Sequence, residues 1–360
     1  MIFQSPGHIL FTLNIAWWGI ILLLIAAAAC WVYMNRSWKL EPWSTGWWTV
    51  NGIMLGLFAL TVGQRAKYVM QTWGQYAAAP MEALTTWSVS WPIRWYGAII
   101  ALGFVVASYF VIQKAKRWQL DVEEVTNLAL IGFLGGIIGG RLYFVMLNWS
   151  SFWAQPSEII AMWHGGMSIH GGIIGGFLTT VLYCRYAKLP VLRCLDLGAC
   201  GLPIAQAIGR WGNFFNSEAF GRPVPDDFPL KLRITENVPP EYFTHQFFHP
   251  TFLYECAWNL SIFAFLYYFA SKKLYRYPGL AFLLYLDLYS LGRLMIEPLR
   301  VDSIMAGALP VPIIASAATM VISSALALGL IWYYKKNPAK MSPPLAPLPT
   351  APLSESEKAT

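Results

Sequence analysis

Along this chain, long apolar runs alternate with short polar connectors, and the runs fall at roughly 9–34, 46–63, 96–113, 125–147, 166–183, 196–215, 251–271, 279–297 and 309–334. Carrying an α-helix through the hydrocarbon of a bilayer takes about 20 predominantly apolar residues. Inside a bilayer the backbone finds no water, so runs of this kind satisfy their hydrogen bonds as helices. The pattern predicts an all-α polytopic membrane protein with about nine transmembrane helices.

Basic residues then set the sidedness. Arg36 and Lys39, Lys114, Lys116 and Arg117, Arg185, Lys188 and Arg193, Lys272, Lys273 and Arg276, and Lys335, Lys336 and Lys340 all follow odd-numbered runs. Residues 148–163 contain no Lys or Arg. By the positive-inside rule the N-terminus is outside and the C-terminus cytoplasmic. The first run does not read as a signal peptide, because Met1 to His8 carry no basic residue and the apolar stretch is too long. The sequence Ala27-Ala28-Ala29-Cys30 imitates a lipoprotein processing site but lacks the basic segment ahead of it. The second run, with Trp47, Trp48 and Gly52, carries no polar site. Residues 337–360, rich in Pro, Ser and Ala, read as a disordered cytoplasmic tail.

Composition agrees: 57% of the 360 residues are hydrophobic and 12% charged. The five cysteines, Cys30, Cys184, Cys194, Cys200 and Cys256, form no CxxC pair, which argues against a disulfide framework or a zinc site. The formal charge of +7 comes without a basic stripe interleaved with aromatics, so no nucleic-acid partner is expected.

Candidate chemistry starts at residues 207–221, AIGRWGNFFNSEAFG, which put Arg210, Asn213, Asn216 and Glu218 at the end of an apolar run. A charge at hydrocarbon depth costs at least about 2.5–3.5 kcal/mol and marks a functional site by default. The plainer reading is an arginine snorkelling to the interface, and the neighbouring amides speak against it. At IRWYG, residues 93–97, Trp95 suits an aromatic belt, whereas Tyr96 carries a hydroxyl for an anionic headgroup. Gly132, Gly135, Gly136, Gly139 and Gly140 allow close helix packing. Arg141 directly after them needs a carboxylate, a phosphate or water. In HGGMSIHGGIIGG, His164 and His170 have no carboxylate or thiol at ligand spacing, so no metal is expected. His170 is either a packing residue or a proton-transfer group, imidazole titrating near neutrality as a class. The Pro- and aromatic-rich loop 222–248 is long enough to be functional or disordered. Beyond it, HPTFLYE offers Glu255 as partner for a buried arginine. Tyr285, Tyr289, Arg293 and Glu297 lie at steps of four on one helix face, with Arg300 following at the outer surface.

Arg141, His170, Arg210, Asn213, Glu218, Arg293 and Arg300 thus fall in the outer half of the membrane or at its surface. Several cations and a few carboxylates at that depth suit the phosphate of a lipid. A lipid transporter would also use such cations but commonly shows internal repeats, and none is found here. A scaffold protein would not need the charges to converge.

The segments IRWYG, GGMSIHGG, GRWGNFFNSEAFG, HPTFLYE and YSLGRLMIEPLR occur in this order, and over roughly residues 85–335 the chain resembles bacterial prolipoprotein diacylglyceryl transferases. The resemblance implies a seven-helix core at 86–336 with a periplasmic-side loop at 216–250, preceded by two additional helices in 1–85. It implies a multi-pass monomer of the bacterial plasma (inner) membrane, its active site facing the periplasm. The implied reaction is the first step of lipoprotein maturation. The diacylglyceryl group of phosphatidylglycerol moves to the lipobox cysteine thiol of a prolipoprotein signal peptide, forming a thioether and releasing glycerol phosphate, with no cofactor. On this resemblance His170 is the candidate base, Arg210 and Arg293 serve the phosphate, and Tyr289 and Tyr96 orient it. Asn213, Glu218 and Gly221 complete the signature, Glu255, Glu297 and Arg300 hold the cations, and Arg141 joins the substrate-binding set. Members of the family usually carry Gln where this chain has Phe252, and a smaller aliphatic residue in place of Trp211.

Overall fold

The computed structural model describes residues 2–4, 9–16, 70, 88–161, 165–234, 238–303, 305–306 and 309–343. The chain divides into two compact units, one of Met1–Gly7 with Tyr96–Thr360 and one of His8–Trp95.

In the second unit, β2 (Ile9–Ala16) pairs antiparallel with β3 (Ser88–Arg94). This corrects the expectation of a helix beginning at residue 9. The segment ILFTLNIA is rich in β-branched and aromatic residues, which fit a pleated ladder, and apolarity alone does not separate a strand from a helix. Residues 17–34 and the second run at 46–63 lie outside the described residues, as does the tail beyond residue 343.

The first unit holds, among the described residues, seven helical rods that match the third to ninth apolar runs. They are α1 (Trp95–Arg117), α2 (Val122–Leu147), α3 (Ile169–Tyr186), α4 (Val191–Phe215), α5 (Thr251–Ala264), α6 (Leu280–Ile296) and α7 (Val311–Lys336). A π-helical turn, Phe265–Ala270, and a last turn, Ser271–Leu274, prolong α5. By length and composition α1, α2, α4 and α7 are able to cross a membrane, as expected of a polytopic helical membrane protein.

Glycine brings α2 and α3 together along their whole length. A Cβ on Gly139 would lie 2.5 Å from the Gly171 carbonyl oxygen, Gly132 abuts Thr180, and Gly140 abuts Ser168. That order of contacts makes the helices antiparallel. Larger residues would force the backbones apart and shift the first turn of α3, which carries His170.

At the end of the bundle opposite residues 216–250, buried charges are satisfied by backbone. Asp196 of α4 accepts from Gly279 N (2.8 Å) and Phe282 N (3.0 Å), capping the N-terminus of α6 from a neighbouring helix. Lys114 donates to Tyr267 O and Ser271 Oγ, and the Arg193 guanidinium lies over the Tyr275 ring.

The loop after α4 is folded. It contributes β4 (Lys231–Arg233) and β5 (Phe247–Phe248), and β1 (Ile2–Gln4) adds to β4 in parallel, giving the strand order β1-β4-β5. Phe214, Phe220, Leu232, Ile234, Phe248 and Phe252 form an apolar core beneath it. That core explains why a Pro-rich stretch of this length has a fixed shape: its aromatics have somewhere dry to go.

Candidate functional site

Three elements converge on one carboxylate. Arg210 comes from the end of α4, Glu255 from the start of α5, and Arg293 from the last turn of α6. Glu255 receives Arg210 Nε at 2.6 Å and Arg293 Nη1 at 2.5 Å, with Arg300 Nη1 at 3.5 Å. Arg293 also pairs with Glu297 one turn on, and Ser303 Oγ donates to Glu297 Oε1 at 2.7 Å. Arg300 is only 12% exposed rather than lying out on the surface, and it grips Asp302 through two bonds of 2.9 and 2.8 Å. Burial disfavours its charge, but Asp302, Glu255 and Glu297 outweigh burial and hold its pKa above the usual value.

Glu255 and Glu297 are almost fully buried. Guanidiniums face both, and losing one partner of such a pair leaves the other with the full desolvation penalty. Arg210, Glu255, Asn259, Tyr289 and Arg293 line a narrow cleft. Among the described residues Arg210 is engaged through Nε alone, so its two terminal amino groups are free for an anion. That arrangement fits a phosphate, which accepts paired guanidinium bonds.

The signature 213–221 builds a cap over the end of α4. Glu218 N donates to Asn213 O at 3.0 Å, and Asn216 Nδ2 to Glu218 Oε1 at 3.1 Å. Gly221 sits where three segments meet: its N–H donates to His249 O at 3.0 Å, and a Cβ there would lie 2.6 Å from His249 Cβ and 3.0 Å from Leu299 O. Arg222 N reaches Leu299 O at 2.6 Å, which ties the cap to the segment bearing Arg300. His249, beside Phe228, has its pKa lowered by burial. Tyr96, 41% exposed, lies against Gly212 of α4, where a Cβ would come within 2.7 Å of the ring.

Two expected site residues are not brought into this cluster. Among the described residues Arg141 meets no carboxylate side chain. Its guanidinium donates to the carbonyls of Glu158, Ile159 (2.9 Å), Ala161 (3.4 Å), Gly165 (2.6 Å) and Gly166 (2.7 Å), near the rings of Phe144 and Phe152. Carbonyl oxygens thus do what an anion was expected to do, and Arg141 fastens the loop that leads into α3. His170 is exposed, its ring 6.4 Å from that of Tyr143, and among the described residues it makes no hydrogen bond or ion pair. His164 lies outside the described residues. Among the described residues no cluster of His, Cys, Asp and Glu is arranged to hold a metal.

Sequence reasoning missed Asn259, Asp302 and Ser303. Asn259 stands one turn after Glu255, and that i, i+4 step from a buried carboxylate was the available signal.

Rods packed around a buried arginine–carboxylate cluster at one end are those of a polytopic helical membrane protein. Residues 86–331 match the prolipoprotein diacylglyceryl transferase family, and the chain belongs to that family. It is similar to the phosphatidylglycerol–prolipoprotein diacylglyceryl transferase of Nostoc sp., with 42% identity over 252 residues, 68% of this chain and 87% of the relative. The enzyme of the same name from Fervidobacterium nodosum is 42% identical over 245 residues, covering 67% of this chain and 80% of the relative. That of Thermotoga maritima is 43% identical over 237 residues, covering 64% and 78%.

Proposed function

We propose that this chain transfers the diacylglyceryl group of phosphatidylglycerol to the lipobox cysteine of a prolipoprotein, as a multi-pass monomer of the bacterial inner membrane with its site toward the periplasm. The observation that carries the reading is the convergence of Arg210, Arg293 and Arg300 on Glu255, which leaves the terminal amino groups of Arg210 without a partner among the described residues.

In the reaction, the cysteine sulfur attacks the glycerol carbon that bears the phosphate. The carbon–sulfur bond forms, the carbon–oxygen bond breaks, and its electron pair leaves on glycerol phosphate. The thiol, with an ordinary pKa of about 8.5, must first lose its proton; the exposed imidazole of His170 is the candidate acceptor, passing the proton on to solvent. Charge grows on the departing phosphate, where Arg210 and Arg293 stabilise it. Glu255 and Glu297 hold these arginines extended, so little reorganisation is needed as the bond breaks. Tyr289, on the cleft wall, and Tyr96, beside Gly212, orient the headgroup. Asn213, Glu218 and Gly221 shape the cap, and Arg141 positions His170 through the loop it fastens. No metal or cofactor enters this scheme, and it calls on no residue of 1–85.

The test is direct. Purified protein in phosphatidylglycerol vesicles should add one diacylglyceryl group to a lipobox peptide, seen by mass, with one glycerol phosphate released per adduct. No adduct with a correctly folded protein would overturn the reading.

A further inference from the structure

Asn259 lines the cleft, and the proposed reaction does not use its amide. It is 2% exposed, and its Nδ2 donates to Glu255 O at 2.8 Å. This contact fixes the amide: with the groups exchanged, two oxygens would face each other. The remaining atom, Oδ1, is buried and has no hydrogen-bond partner among the described residues. Such orphans are rare in folded proteins, and this one belongs to a residue lining the cleft of Arg210 and Arg293.

An amide oxygen only accepts. The phosphate and both fatty-acyl esters of a phospholipid only accept as well, so none of them can satisfy it. The hydroxyls of the phosphate-linked glycerol can. The arginines read negative charge, which every phosphodiester lipid with an uncharged headgroup supplies equally; an acceptor beside them distinguishes a headgroup that carries hydroxyls. We propose that Asn259 Oδ1 accepts a hydrogen bond from a hydroxyl of the lipid's headgroup glycerol and makes this cleft selective for it. The assignment rests on the proposed function and names the group that sets its lipid specificity.

The test compares phosphatidylglycerol with phosphatidylpropanol, which keeps the phosphodiester charge and lacks both headgroup hydroxyls. The wild type should use phosphatidylglycerol at least about tenfold better, because a site built around a hydroxyl discriminates against an analogue without one. In Asn259→Leu the rate with phosphatidylglycerol should fall to that with phosphatidylpropanol, the latter staying within about twofold of wild type. Equal use of the two lipids by the wild type overturns the proposal without any variant. So does a parallel loss with both lipids in Asn259→Leu, or an unchanged lipid preference with a raised KM for the peptide, which would assign Oδ1 to the thiol substrate. If Asn259→Leu does not fold, Asn259→Ala takes its place. Lipid competition followed by native mass spectrometry separates this proposal from the function: Asn259-dependent preference for phosphatidylglycerol without any transfer would sustain the site and overturn the reaction.

Discussion

Trp211 and Phe252 meet edge to face, their ring centroids 5.4 Å apart and their planes at 70°. These are the two positions at which the resemblance leads us to expect other residues, and they are one contact. Phe214 stacks on Phe252 at 5.0 Å and meets Trp211 edge to face at 6.0 Å, closing a triangle of rings. The polar contact expected at position 252 is replaced by an aromatic trio under the loop after α4.

Phe252→Gln should therefore destabilise this protein by about 1–3 kcal/mol, because a buried amide would face rings that offer it no conventional hydrogen bond. Thermal unfolding in detergent measures it. A melting temperature equal to wild type would show that the site accepts a polar group after all.

Glu255→Gln leaves three guanidiniums around a neutral amide. Breaking a buried pair from one side costs about 3–5 kcal/mol, and the melting temperature should drop accordingly. Inorganic phosphate should then raise it more in the variant than in the wild type, since an added anion can replace the lost carboxylate. An equal response to phosphate in both would argue against an anion site.

Arg210 and His170 act on different bonds in the proposed reaction, and their pH profiles should differ. Arg210→Lys keeps a charge and loses the planar fork, so transfer should slow by at least about tenfold, or about 1.4 kcal/mol of barrier, at every pH. His170→Gln should recover part of its lost activity as pH approaches the thiol's own pKa. Initial rates from pH 6.5 to 9.5 decide, and parallel profiles would remove His170 from the role of base.

Arg141→Lys cannot reproduce a fork that serves five carbonyls. Residues 158–166 should exchange amide hydrogens faster, by at least about tenfold, while phosphatidylglycerol affinity stays within about twofold of wild type. A selective loss of lipid binding with unchanged exchange would return Arg141 to the substrate.

The core rods were legible because a bilayer demands length and apolarity at once, and residues 95–336 show both. The stripe of Tyr285, Tyr289, Arg293 and Glu297 was legible for a related reason: steps of four on an apolar helix must face inward, and Tyr285 and Glu297 are buried. Glu255 could be named as a partner for arginine because charges in hydrocarbon seek opposite charges. Arg141 followed the same rule in sequence, yet its answer came from backbone carbonyls, which no residue letter advertises. Ile9–Ala16 shows the remaining ambiguity, since eight mostly apolar residues suit either a strand or the first turns of a helix. The sheet of the loop after α4 depends on Ile2–Gln4, more than two hundred residues away from Lys231–Arg233 along the chain, a pairing that local patterning does not carry.

That pairing of β1 with β4 sets a parity rule for the chain. From residue 95 to residue 231 the polypeptide passes through α1, α2, α3 and α4. The third of these is about 27 Å long at 1.5 Å per residue and returns antiparallel beside the second. Four passages are an even number, so the start of α1 and the strand β4 emerge on the same face. Ile2–Gln4, hydrogen-bonded to β4, emerge there too. Ile2–Gln4, the start of α1 and the strand β4 therefore share one side of the bundle.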